Sequence, residues 1–260
     1  MRAPNYKLPA VCDVLVTNVC NAACDFCGFA RDKTLVGAAR YLDADAFARA
    51  LPILRRRGIR FMTLQGGEPL VHPDIVRLVS ETTAAGISCA IITNGWFLPR
   101  YIDQLAAAGL DRLIISIDSA NLAEHELNRG LEGLERRIAE GIAGARTNGL
   151  PVQASVTVNR LVRFEELTDA LRRLVFDDVA FSYPRHEPFG STSLVYRIRA
   201  SSISTATSCL LRSMRSKAEE AVSGGESALL TRRGRALCAW RAASGSMHRR
   251  LQIFLYRLEP

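Results

Sequence analysis

No stretch of this 260-residue chain approaches the roughly 20 consecutive apolar residues that a bilayer-spanning helix requires. The opening MRAPNYKLPAVCDVLV has no apolar core of a secretory signal. Cysteines number seven, so complete pairing into disulfides is excluded. These absences lead to the expectation of a protein of the reducing cytoplasm. Histidines number four, none spaced with a cysteine or a second histidine as a metal pair. His72 reads as a turn residue, His125 as part of a polar loop leading into a helix, and His248 as part of the tail.

The formal charge of +8 points to nucleic acid until it is located. From Arg199 onward there are eleven Lys and Arg against four Asp and Glu, which leaves the first 198 residues at +1. The excess belongs to a Ser/Arg/Ala-rich tail without interleaved aromatics, so a nucleic-acid partner is not expected. An RNA-modifying role, which the basic tail would favour, stays open as an alternative. The chain accordingly divides into 1–198 and an irregular tail, 199–260.

What is present is more specific. Cys20-Asn21-Ala22-Ala23-Cys24-Asp25-Phe26-Cys27 places three cysteines at spacings of four and then three. Zinc sites show two tight Cys or Cys/His pairs, but the next cysteines are Cys12, eight residues upstream, and the distant Cys89, Cys209 and Cys238. Three thiolates on one short loop suit three corners of a four-iron cube. Such a cube normally takes four cysteines, and an iron without a protein ligand is a place where a small molecule can bind and be reduced.

Periodicity supplies the frame. Apolar or β-branched runs at 13–17, 60–64, 88–92, 112–117, 152–158 and 178–183 alternate with helical patterns at 43–57, 73–85, 99–108, 129–148 and 164–175. This is the signature of a parallel α/β sheet built from right-handed crossovers. It leaves open whether the sheet is doubly wound or curled into a partial barrel. The strand ends carry polar or glycine-rich sequence: the cysteine loop, Gln65-Gly66-Gly67-Glu68-Pro69, Thr93-Asn94-Gly95, Ser116-Ile117-Asp118-Ser119 and Thr157-Val158-Asn159. Ligands in such folds gather at those ends.

These motifs resemble the radical S-adenosylmethionine (radical SAM) enzymes over about residues 10–195. The cysteine loop matches, including Phe26 before the last cysteine, and so does Gly66-Gly67-Glu68-Pro69. The third and fourth strand ends match the branch containing the molybdenum-cofactor cyclase and the peptide-modifying maturases. The resemblance implies a partial (β/α)6 TIM-like barrel with outer helices, a 4Fe–4S cluster on Cys20, Cys24 and Cys27, and S-adenosylmethionine chelated at the open iron. It further implies that Glu68 and the carbonyls of Gly66 and Gly67 receive the SAM amino group, the glycines letting the main chain approach the ligand. Phe26 would lie near the adenine; Thr93, Asn94, Ser116 and Asp118 would reach the methionine carboxylate and ribose; Asn159 would add a polar contact. The implied activity is reductive cleavage of SAM to methionine and a 5′-deoxyadenosyl radical that takes hydrogen from a small-molecule or peptide substrate. An electron donor such as flavodoxin or ferredoxin would supply the cluster.

Two further stretches are candidates for substrate contact: Arg185 and His186 in the segment 181–190, and Arg129, which otherwise reads as an exposed residue at a helix start. The tail departs from the family. Its texture resembles a GC-rich gene read out of frame, and LQIFLYRLEP can be back-translated so that a one-base shift yields the aromatic-rich FKYFYIDWN. On that reading Cys209 and Cys238 are not cluster ligands, and a barrel that binds its cofactors without turnover is a third alternative.

Overall fold

The protein is described from a computed structural model, which defines residues 10–24, 27–31, 37–158 and 161–182 and the backbone of 253–257. The described elements run β1 (Val11–Thr17), α1 (Gly28–Arg31), α2 (Ala44–Arg56), β2 (Phe61–Gly66), a 3₁₀ turn (Pro69–Val71), α3 (Ile75–Ala84), β3 (Ser88–Thr93), α4 (Leu98–Ala107), β4 (Arg112–Ile117), α5 (Leu122–Arg129), α6 (Leu134–Thr147), β5 (Val152–Thr157), α7 (Phe164–Arg173), β6 (Asp178–Ser182) and β7 (Ile253–Arg257).

Strands β1 to β6 are parallel neighbours in chain order. That order decides the question the periodicity leaves open. A doubly wound sheet reverses its strand order part-way, whereas here each crossover steps in the same direction. Right-handed crossovers then carry the helices to one face and leave the other as a lumen. β1 and β6 do not pair, so the barrel is partial. β7 lies antiparallel on β6, with Asp178 opposite Arg257 and Val179 opposite Tyr256; the sequence pattern does not anticipate it.

The two faces follow the two-residue period of the strands. Met62 and Leu64, Cys89 and Ile91, Leu113, Ile115 and Ile117, and Val152, Ala154 and Val156 are buried in one apolar cluster with the helices. Their alternates include Ser116 and Ser155, which are half-buried and opposite one another in register. Helices α4 and α6 approach closely because Gly141 and Gly144 have no Cβ to meet Leu98 and Ile102. Most sheet boundaries fall within two residues of the sequence pattern. The stretch 129–148 is the exception: it divides into the end of α5 and α6, with left-handed Gly130 and Gly133 between them.

Candidate functional site

The cysteine loop is held at its base by side chains of its own sequence. At the end of β1, Thr17 Oγ1 donates to the Arg40 carbonyl at 2.8 Å and accepts from Val19 N at 3.0 Å. Asn18 Nδ2 donates to the Ala38 carbonyl while its Oδ1 accepts from Arg40 N. The loop then leans on β2: Gly67 N donates to Thr17 O at 2.8 Å and Glu68 N to Val19 O at 2.7 Å. A Cβ on Gly66 would overlap the backbone of Thr17, and one on Gly67 the backbone of Val19. The two glycines are therefore required by the approach of the cysteine loop itself, a constraint that the sequence does not reveal.

Glu68 is 1 % exposed and ties three strand ends together. Its Oε1 accepts from Leu70 N at 3.0 Å and Thr93 Oγ1 at 2.6 Å, and its Oε2 from Asn94 N at 2.7 Å. Burial pushes its carboxyl upward, against those donors and the positive charge of Arg129, which pull it down. Asn94 passes the connection on, donating through Nδ2 to Asn21 Oδ1 at 2.9 Å inside the cysteine loop. Thr93 is thus committed to Glu68, and Asn94 to Asn21.

The end of β4 makes the second support. Asp118 receives Arg129 Nε on Oδ2 and Nη2 on Oδ1, both at 2.8 Å, with Asn128 Nδ2 on Oδ2 at 3.0 Å. Burial opposes ionisation of Asp118, but the Arg129 guanidinium and His125 overcome it and hold the carboxyl well below the usual carboxylate range. His125 Nδ1 lies 3.2 Å from Asp118 N and 3.4 Å from Asp118 Oδ2, within reach of both. Burial, opposed by Asp118, holds His125 below its ordinary value.

Arg129 is the last residue of α5 and 6 % exposed, not an exposed helix start. His125 is fully buried on the same helix, one turn earlier, and not in a loop. The carbonyl of Arg129 receives Ala23 N at 2.8 Å, and Gly130 lies against the Ala23 side chain, so the helix end seats the middle of the cysteine loop. Asn121, which accepts from Ala123 N and Glu124 N, and left-handed Gly130 bound this helix. Those two caps are the signal that reveals α5 in sequence.

Cys20 and Cys24 lie in this setting with Cys27 near both. Burial pushes the Cys20 thiol up to about 11 and the Cys24 thiol to about 12; Arg129 opposes each shift and Cys27 adds to it. Deprotonating them requires a compensating cation or metal. Among the described residues no three His, Cys, Asp or Glu are grouped to hold one metal ion. A mononuclear zinc site needs its sulfurs around one centre, whereas a cube takes each cysteine at a different corner, so the donor set suits a cluster. Asn21 Nδ2, inside the cysteine loop, is a buried donor with no hydrogen-bond partner among the described residues and fits a group rich in acceptors. Ser116 is half-buried. Phe26, Asn159, Arg185, His186, His248, Cys209 and Cys238 lie outside the described residues. His72 is structural: its Nδ1 accepts from Asp74 N, and Nε2 donates to the Leu42 carbonyl at 3.0 Å.

A cavity of about 530 Å³ lies at the opposite ends of the strands, lined by Arg112, Arg146, Leu150, Asp177 and Asp178. Its arginines are already paired, Arg112 with Asp178 and Arg146 with Asp177. It holds no residue of the cysteine loop, nor Glu68, Asp118 or Arg129.

Comparison with known proteins agrees with this geometry. The family model for the Radical SAM superfamily matches residues 14–177. The chain is 37 % identical over 164 residues to the GTP 3′,8-cyclase of Heliobacterium modesticaldum, covering 61 % of this chain and 49 % of that protein. It is 34 % identical over 154 residues to the AdoMet-dependent heme synthase of Methanosarcina barkeri, covering 59 % and 43 %. The chain thus spans about half the length of the curated relatives it matches. Among solved structures, Streptococcus suis SuiB bound to its precursor peptide SuiA superposes with a TM-score of 0.68 at 15 % identity, covering 81 % of this chain and 47 % of that one; this likeness shows the shared fold. With its sequential parallel sheet, its cysteine loop at the carboxyl ends of the strands and a family match over more than half its length, the chain belongs to the Radical SAM superfamily.

Proposed function

We propose that this chain is the cluster-bearing core of an enzyme that cleaves S-adenosylmethionine reductively and passes the resulting radical to a small-molecule or peptide substrate. When bound, a reduced 4Fe–4S cluster supplies one electron to the SAM sulfonium, giving methionine and a 5′-deoxyadenosyl radical. Cys20, Cys24 and Cys27 would hold the cluster. Glu68, whose Oε2 has a single donor among the contacts above, would receive the SAM amino group together with the carbonyls of Gly66 and Gly67.

Other residues act on these at one remove. Thr93 and the backbone of Asn94 fix the Glu68 carboxylate, and the Asn94 side chain fixes Asn21. Asp118 fixes Arg129, which seats the loop through its carbonyl. Ser116, half-buried on β4, would contact the cofactor directly, and Phe26 and Asn159 complete the proposed set. The half-buried hydroxyls of Ser116, Ser155 and Thr157 at the strand ends suit a ligand with polar groups.

The observation that carries the reading is the docking of a three-cysteine loop onto buried Glu68 and Arg129 at one end of a parallel sheet. The relatives act on different molecules, so a small molecule or a peptide is the substrate class. A flavodoxin- or ferredoxin-like donor would reduce the cluster. No helix among the described residues is long and apolar enough to cross a membrane.

Anaerobic iron–sulfide reconstitution, then dithionite and SAM, with 5′-deoxyadenosine measured, tests the proposal. Product from the wild type and none from Cys24→Ala is expected. A cluster that responds to SAM without cleaving it would leave a binding barrel; zinc in place of iron would overturn the reading.

A further inference from the structure

The proposed cluster stands beside a buried charge pair that the cleavage reaction does not itself require. Arg129 is 6 % exposed and Asp118 1 %, joined through two 2.8 Å hydrogen bonds. The pair is joined to the cysteine loop by geometry: the Arg129 carbonyl receives Ala23 N at 2.8 Å, and Gly130 abuts the Ala23 side chain. Ala23 is the residue before Cys24. The charge of Arg129 reaches Cys20, Cys24 and Glu68, and that of Asp118 reaches Cys24 with the opposite sign.

We propose that Arg129 and Asp118 set the reduction potential of the iron–sulfur centre held by the three cysteines, Arg129 raising it and Asp118 lowering it. This rests on the proposed function. Reduction places one additional negative charge on a centre already carrying three thiolates; no bond or proton is exchanged, and the electron comes from dithionite in the test below. A neighbouring cation favours the reduced state and a neighbouring anion the oxidised one. Because the pair is shielded from water, these fields are weakly screened. Charge, hydrogen bonding and burial around a cluster are the means by which a protein tunes it. A bidentate pair also fixes where each charge stands, so the two residues act as an oriented dipole whose halves can be removed separately.

The test is an EPR-monitored redox titration of reconstituted wild type, Arg129→Gln, Arg129→Lys, Asp118→Asn and the double variant Arg129→Gln/Asp118→Asn. Arg129→Gln should lower the midpoint potential and Asp118→Asn should raise it. Each change should alter the reduced-to-oxidised ratio at fixed solution potential about tenfold, which is about 59 mV for a one-electron couple. Arg129→Lys and the double variant should fall closest to wild type. Opposite signs are a result that mere loosening of the loop would not give. Wild-type protein that takes up no iron overturns the proposed function, and this inference with it. A wild-type cluster whose potential moves in the same direction in both single variants, or in neither, overturns the inference alone. Loss of the cluster from both single variants while the wild type loads fully assigns the pair to folding and overturns it as well.

Discussion

Both ends of the sheet carry arginine–aspartate pairs, but in different surroundings. Near the cysteine loop, Arg129 and Asp118 have side chains 7 % and 1 % exposed; at the other end, Arg146 and Asp177 are 39 % and 35 % exposed. Water around the second pair screens its attraction, so it contributes little. Around the first, water is excluded, and leaving either partner alone is costly. The same two residue types thus tie a helix end to the start of a strand in one place and hold the cysteine loop in another.

The largest effect expected is at the loop itself. Cys24→Ala should abolish both cluster-bound iron and 5′-deoxyadenosine formation; retention of either would remove that end of the molecule from the chemistry. Next, Asp118→Ala should destabilise the fold by about 3–5 kcal/mol in denaturant titration, because Arg129 is left buried without its counter-ion. Gly67→Ala should cost about 3 kcal/mol, since the added methyl meets the Val19 backbone, and should lower iron uptake. Unchanged uptake would mean that the loop does not depend on its seat on β2.

A pH titration sharpens the contrast further. Burial holds His125 below its ordinary 6.5, so the unfolded chain binds the proton that the folded one refuses. Stability from this group is present above about 6.5 and is lost as pH falls below it, with a slope of at most about 1.4 kcal/mol per pH unit. His125→Asn should flatten that slope between pH 7 and 5; an unaltered slope would assign it to other groups. Arg146→Ala should have the smallest effect, under about 1 kcal/mol. If it matches Asp118→Ala, burial is not what separates the two ends.

How much of this could be read beforehand depends on which residues are buried. Strands such as Arg112–Ile117 declare themselves through apolar runs, and the motif residues Cys20, Cys24, Cys27 and Glu68 through spacing. Helix α5 does not, because its buried side chains are His125 and Arg129, polar residues that hydrophobic periodicity assigns to solvent. Arg129 consequently reads as exposed, and the stretch after it as one long helix. Gly66 and Gly67 are legible as a motif, yet the atoms they make room for belong to a loop more than forty residues upstream.

The alternation of strands β1 to β6 with helices α2, α3, α4, α6 and α7, and the three-cysteine loop, were determined by the sequence alone, since both rest on local spacing and on the alternation of apolar and polar residues. The tertiary structure decided the direction in which the sheet curls, the commitment of Glu68 to Thr93 and Asn94, and the union of Asp118, His125 and Arg129 beneath the loop. Those depend on which distant groups exclude water together, and excluding water is what turns ordinary polar side chains into a rigid, charged support.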